Sequence, residues 1–94
     1  MRKVEQLMLE AIRDNRNFSS KNTKVRNRHG VSYVYLFKHR IAIISSNKRK
    51  FNMCGWNTVT TRSRLNALGA GITQHRHVPF FNGKVLCAHS WYEF

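Results

Sequence analysis

The stretch Thr23-Lys24-Val25-Arg26-Asn27-Arg28-His29-Gly30-Val31-Ser32-Tyr33-Val34-Tyr35-Leu36-Phe37 decides the fold. Residues 23–28 and 31–37 alternate polar and apolar side chains with the period of two that a half-buried strand requires. Between them His29-Gly30 reads as a two-residue hairpin turn, with glycine where positive φ is needed. A turn of that length sets Arg28 opposite Val31, Arg26 opposite Tyr33 and Lys24 opposite Tyr35, and cross-strand partners share a face. One face then carries basic residues beside tyrosines. Val25, Val34 and Leu36 go to the other face as core.

Working outward, Val4, Leu7, Met8, Ala11 and Ile12 follow the spacing of an amphipathic helix over residues 3–14. Glu5 in its first turn and Arg13 in its last suit the helix dipole. Residues 15–22 are polar and turn-like. Residues 41–45 read as a strand after a Lys38-His39-Arg40 turn, and residues 51–54 as another after a basic loop at 46–50. A short helix over 61–68, with N-cap candidates among Thr58–Thr61, closes at Gly69. Residues 72–81 and 84–91 flank Asn82-Gly83, the strongest hairpin signal in the chain, and Pro79 makes the first arm an edge strand or splits it there. The expected fold is α+β: one small domain over residues 1–94, a mainly antiparallel sheet of about five to six strands, an N-terminal helix and a second short helix.

Charge is the most informative global feature. The 94 residues include 17 Lys and Arg against 4 Asp and Glu, a formal net charge of +13. Every acid lies near an end: Glu5, Glu10, Asp14 and Glu93. Each Lys, Arg, Asp or Glu from Arg16 to Tyr92 is basic. A surface shaped for solubility alone mixes both signs, because like charges resist compaction. The asymmetry therefore points to a polyanionic partner, above all DNA or RNA.

Three clusters are candidate nucleic-acid contacts. The hairpin face offers Lys24, Arg26 and Arg28 to phosphates, with Tyr33 and Tyr35 as stacking platforms; half-buried tyrosines covered by arginine stems are the alternative. Lys48, Arg49 and Lys50 form a basic run at a turn, able to track a backbone or stay a solvated loop. Arg62 and Arg64, with the threonines of the second helix's first turn, resemble a phosphate site; ordinary capping explains the same residues.

Other chemistry finds little support. His75, His77, His89, Cys54 and Cys87 lack the local pair spacing of zinc sites, so neither metal nor other cofactor is expected. The two cysteines are expected to stay reduced. No phosphate-binding glycine loop or nucleophile elbow is present, and the middle of the chain has no carboxylate to hold a catalytic metal. A histidine-based nuclease is the remaining catalytic option, but nothing couples a nucleophile to an oriented base, and no enzyme is expected. No apolar run reaches the roughly 18 residues of a membrane span, and the N-terminus lacks the pattern of a signal peptide. These features predict a soluble, cytosolic protein. Oligomeric state stays open: a dimer joining two hairpin faces is one arrangement, and Trp91-Tyr92-Glu93-Phe94 can serve an interface or pack on its own core.

The block Gly55-Trp56-Asn57-Thr58-Val59-Thr60-Thr61-Arg62-Ser63-Arg64-Leu65-Asn66-Ala67-Leu68, with Asn22-Thr23-Lys24-Val25, Val34-Tyr35-Leu36 and Ile41-Ala42 before it, resembles a group of small proteins from tailed bacteriophages. The resemblance covers residues 5–70, and the charged Lys38-His39-Arg40 departs from the Gly-Asn turn of that group. It implies a phage product acting in the cytoplasm of a bacterial host. Such products coat nucleic acid, bind a host protein or ribonucleoprotein, or disable a defence system, including CRISPR complexes and host nucleases.

Overall fold

Helix α1 (Lys3–Arg13) turns Met8 and Ala11 inward, and both are buried, as the 3.6-residue spacing requires. The computed structural model describes residues 1–94. After α1 come β1 (Phe18–Ser19), β2 (Thr23–Arg28), β3 (Val31–Leu36), β4 (His39–Ile44) and β5 (Arg49–Phe51). Helix α2 (Val59–Ala67) follows, then β6 (Thr73–His75), β7 (Val78–Phe81), β8 (Lys84–Val85) and β9 (Tyr92–Glu93). The main sheet runs β1-β2-β3-β4-β5-β9, all antiparallel, and β6-β7-β8 form a second, three-stranded sheet. The α+β class with two helices and a mainly antiparallel sheet is thus the observed one.

The β2–β3 register is the one that the His29-Gly30 turn dictates: Lys24 opposite Tyr35, Arg26 opposite Tyr33, Arg28 opposite Val31. His29 and Gly30 have φ of 52° and 79°, the two positive values of a turn whose twist matches that of its strands. Asn82 and Gly83 repeat it at 52° and 77°. The β3–β4 turn differs from expectation. It consists of Phe37 and Lys38, at φ 49° and 73°, so His39 and Arg40 belong to β4 rather than to the turn.

Other boundaries also move. Arg49 and Lys50 lie in β5, so the basic run is only half a loop. Asn52 and Met53, expected in a strand, follow it. β1 and β9, two residues each, form because the sheet supplies ready-made edges; residues so short carry no periodicity of their own. The chain reverses at Arg76-His77, not at Pro79, and β7 is the middle strand of its sheet. Proline is tolerated there because its carbonyl, bonded to the Leu86 N–H at 2.9 Å, and its missing donor both point past the end of β8.

One irregularity shapes the sheet. Val34 pairs with Ala42 but Tyr35 pairs with Arg40, which makes Ile41 an extra residue in a β-bulge. Ile41 and Ala42 are both buried, and Arg40 is rotated onto the face of Tyr33 and Tyr35. The backbone freed by the bulge is satisfied elsewhere: Asn52 N–H donates to the Ile41 carbonyl at 2.9 Å, and the Cys54 thiol to the Arg40 carbonyl at 3.1 Å. Burial pushes that thiol's pKa up, keeping it a donor.

Both helices cover the opposite face. Met8, Ala11, Leu65 and Leu68 join Val25, Val34, Leu36, Ile41 and Phe51 in one buried core. Phe51 also meets Phe81, Tyr92 and Phe94, with ring centroids 5.1, 5.5 and 5.4 Å away. Tyr92 and Phe94 are therefore packed on the chain's own core, and within that segment Trp91 stays exposed.

Inside this layer lies a buried ion pair. Arg64 Nη1 donates to Glu5 Oε2 at 2.9 Å, both side chains being 4% exposed. Arg64 Nε donates to Thr23 Oγ1 at 2.9 Å and Ser63 Oγ to Glu5 Oε2. The Arg2 backbone N–H donates to Glu5 Oε1 at 3.2 Å. Burial alone would push the Glu5 carboxyl up; the hydrogen bonds from Ser63, Arg2 and Arg64, with the guanidinium charge, outweigh it and hold the pKa below its ordinary value.

Three outcomes follow for stability. Replacing Arg64 by Ala strands a buried carboxylate and should lower unfolding free energy by about 3–5 kcal/mol in denaturant titration. Because the folded pKa of Glu5 is depressed, its contribution is complete above the unfolded value and is lost as pH falls through the folded one, so Glu5→Gln should flatten the acid limb of a Tm–pH profile. Lys38→Gly should raise stability by about 1 kcal/mol, since a left-handed residue with a Cβ is disfavoured by roughly that much.

Candidate nucleic-acid interface

Register and bulge together assemble one face of the main sheet that no helix covers. From β2 it presents Lys24, Arg26 and Arg28, from β3 Tyr33 and Tyr35, from β4 Arg40 and Ile43, from β5 Lys50. Lys24, Arg26, Arg28 and Arg40 are exposed, and Lys50 is half-buried. None of these five cations forms an ion pair; the three pairs in the protein are Arg13–Asp14, Arg16–Asp14 and Arg64–Glu5. Glu93 stands opposite Lys50 at the sheet edge without closing one.

Arg40 is the centrepiece. Its guanidinium carbon lies 4.5 Å from the Tyr33 ring centroid and 5.4 Å from that of Tyr35. Its Nη2 and Nε donate to the Tyr35 hydroxyl at 2.8 and 3.2 Å. This holds the planar guanidinium in place at the surface, with Nη1 free of a protein partner. It also covers the tyrosine rings that the sequence offered as stacking platforms. Arg40 escaped the sequence reading because only the bulge puts it on this face, and no local pattern announces a bulge.

The remaining sequence candidates separate. Lys48 lies in the β4–β5 loop, at the same end of the sheet as Arg28 and the His29-Gly30 turn. Arg49 faces the helix side: its Nη1 donates to the Leu68 carbonyl at the end of α2 at 3.0 Å, and its guanidinium sits 4.4 Å from the Phe94 ring centroid. It caps a helix C-terminus, where a cation is favoured. Arg62, on α2, donates to Asn57 Oδ1, and the helix that carries it packs on the core side. Arg64 is corrected outright. It is 3% exposed and ion-paired, so it has no surface to offer a phosphate. Helix α2 starts two residues before the expected 61, and its N-cap is one of the threonines that the sequence offered. Thr58 is the N-cap, accepting from Thr61 N–H at 3.1 Å, and Thr61 is buried with its hydroxyl bonded to that of Thr58.

The histidines do not converge. His75 is exposed on β6 while His77 sits at positive φ in the next turn, so the two do not share a strand face. No three His, Cys, Asp or Glu side chains come together, and Cys54 and Cys87 are both free. No helix is long and apolar enough to cross a membrane.

Two hollows flank the β3–β4 turn. One, of about 300 Å³, is lined by Lys21, Asn22, Lys24, Tyr35, Phe37 and Lys38. The other, of about 350 Å³, has an apolar floor of Leu36, Ile41 and Met53 and walls that include His39 and Trp56. Phe37 lines both.

Neither a curated protein nor a solved structure matches the chain. A family model does, over residues 1–93, nearly the whole length, and its description is Kyanoviridae Gp96 protein. The bacteriophage origin implied by the Gly55–Leu68 block is thereby established, and the chain belongs to the Kyanoviridae Gp96 protein family.

Proposed function

We propose that this phage protein is a non-catalytic nucleic-acid-binding module whose ligand lies across the open face of the main sheet. One observation carries the reading: Lys24, Arg26, Arg28, Arg40 and Lys50 share a face, and none of them forms an ion pair. Asp14 and Glu5 bind Arg13, Arg16 and Arg64 elsewhere, which leaves this cluster of five cations without a neutralising ion pair. An anionic backbone supplies the missing countercharge, and released counterions drive its binding.

The contacts available are of the positioning kind. Lysines and arginines on a sheet reach phosphates, and the preset Arg40 guanidinium offers its free Nη1 to a phosphate oxygen; little here reads base edges. Sequence preference is accordingly weak. The module acts inside the infected bacterial cell, where nucleic acid is abundant.

Fluorescence anisotropy with labelled single- and double-stranded DNA and RNA tests this. If each of the five cations meets one phosphate, log K against log salt has a slope of about −3.5 for single strands and about −4.5 for duplex. Lys50→Ala should make the slope shallower by about 0.7–0.9, whereas Arg62→Gln, on the helix side, should leave it unchanged. Tyr35→Phe keeps the charge but frees Arg40, and should weaken binding several-fold with the slope unaltered. Weak, salt-insensitive binding to every strand would overturn the proposal and direct attention to a host protein or ribonucleoprotein, captured from nuclease-treated lysate.

A further inference from the structure

Phe37 and Lys38 occupy left-handed conformations that glycine or asparagine adopts more readily, and they put an exposed ring and an ammonium at the hairpin tip. Phe37 is 62% exposed and Trp56, across the apolar hollow, 54%. His39, whose ring centroid is 6.0 Å from that of Trp56, also lines this hollow. The hydroxyl of Thr60, which also lines it, has no side-chain hydrogen-bond partner in the protein. Immediately beyond Phe37, Lys21, Lys24 and Lys38 line the second hollow with no carboxylate among its lining residues.

We infer that this tip takes one unpaired nucleobase of a single-stranded nucleic acid, the base between Phe37 and Trp56 and its phosphate on Lys21, Lys24 and Lys38. The inference rests on the function proposed above and names its substrate class. An apolar, aromatic-walled hollow joined through one ring to a cluster of ammonium groups matches a ligand that is flat and apolar at one end and anionic at the other. A lipid tail or an apolar peptide leaves the lysines without a counterpart. A paired base cannot enter, because both its faces are already stacked within the duplex. The sheet itself does not supply the stacking site, since Arg40 covers Tyr33 and Tyr35. Base stacking on the tip then adds to phosphate binding on the sheet, and Lys24, shared by both, links them.

The chain has two tryptophans, so a Trp91→Phe background isolates the emission of Trp56. This protein is titrated with a short oligothymidylate, an abasic strand of equal phosphate number and a duplex of equal length, with ribo-oligonucleotide counterparts of the intact strands. The intact strand should quench Trp56 and bind about 5- to 150-fold more tightly than the abasic one, the range expected for one stacked base. Trp56→Ala should reduce it to abasic affinity. Phe37→Asn, which keeps Lys38, should do the same while Tm holds or rises, since asparagine adopts the left-handed conformation more readily, and this separates lost stacking from lost folding. An abasic strand that binds as tightly as the intact one, or Trp56 emission unmoved at saturation, overturns this inference and leaves the sheet-face proposal standing. Absence of binding by every strand overturns both.

Discussion

The buried pair of Glu5 and Arg64 is the constraint on which the arrangement depends. It joins α1 to α2, and through Thr23 it joins both helices to β2. An ion pair this deep is tolerated only where further hydrogen bonds complete both partners, and Ser63, the Arg2 backbone and Thr23 provide them. With both helices clamped to one side, the sheet has a single dry face. Its other face is left to solvent, and Lys24, Arg26, Arg28, Arg40 and Lys50 stand on it.

The scarce acids leave that cluster without ion pairs. Glu5 is used inside the core and Asp14 beside Arg13 and Arg16, while Glu93 sits at the sheet edge. Arginine does two different things in this fold. Arg49 and Arg64 satisfy a helix end and a buried carboxylate, and Arg26, Arg28 and Arg40 remain at the surface. Composition counts them alike, and only their partners tell them apart.

The bulge at Ile41 connects fold to site. Regular alternation would place Arg40 on the same face as Ala42, in the core. The extra residue turns it outward, lets Ile41 and Ala42 both fill the core, and seats a guanidinium over two tyrosines. Asn52 and Cys54 absorb the carbonyls that leave the ladder. A single inserted residue therefore changes a cationic fringe into an ordered cluster.

What the sequence determined by itself is local. The α1 stripe, the β2–β3 register and the Asn82-Gly83 turn follow from side-chain period and from glycine's access to positive φ, which act over a few residues. So does the placing of Lys24, Arg26 and Arg28 beside Tyr33 and Tyr35, because a two-residue turn leaves one register. Tertiary structure decided the rest. Arg64 looked like a phosphate ligand until Glu5, 59 residues away, claimed it. Arg40 looked like a turn residue until the bulge set it on the sheet, and β9 had no existence apart from the edge of β5. In each case the deciding partner is distant in the chain, and neither periodicity nor propensity carries information about a group that only folding brings near.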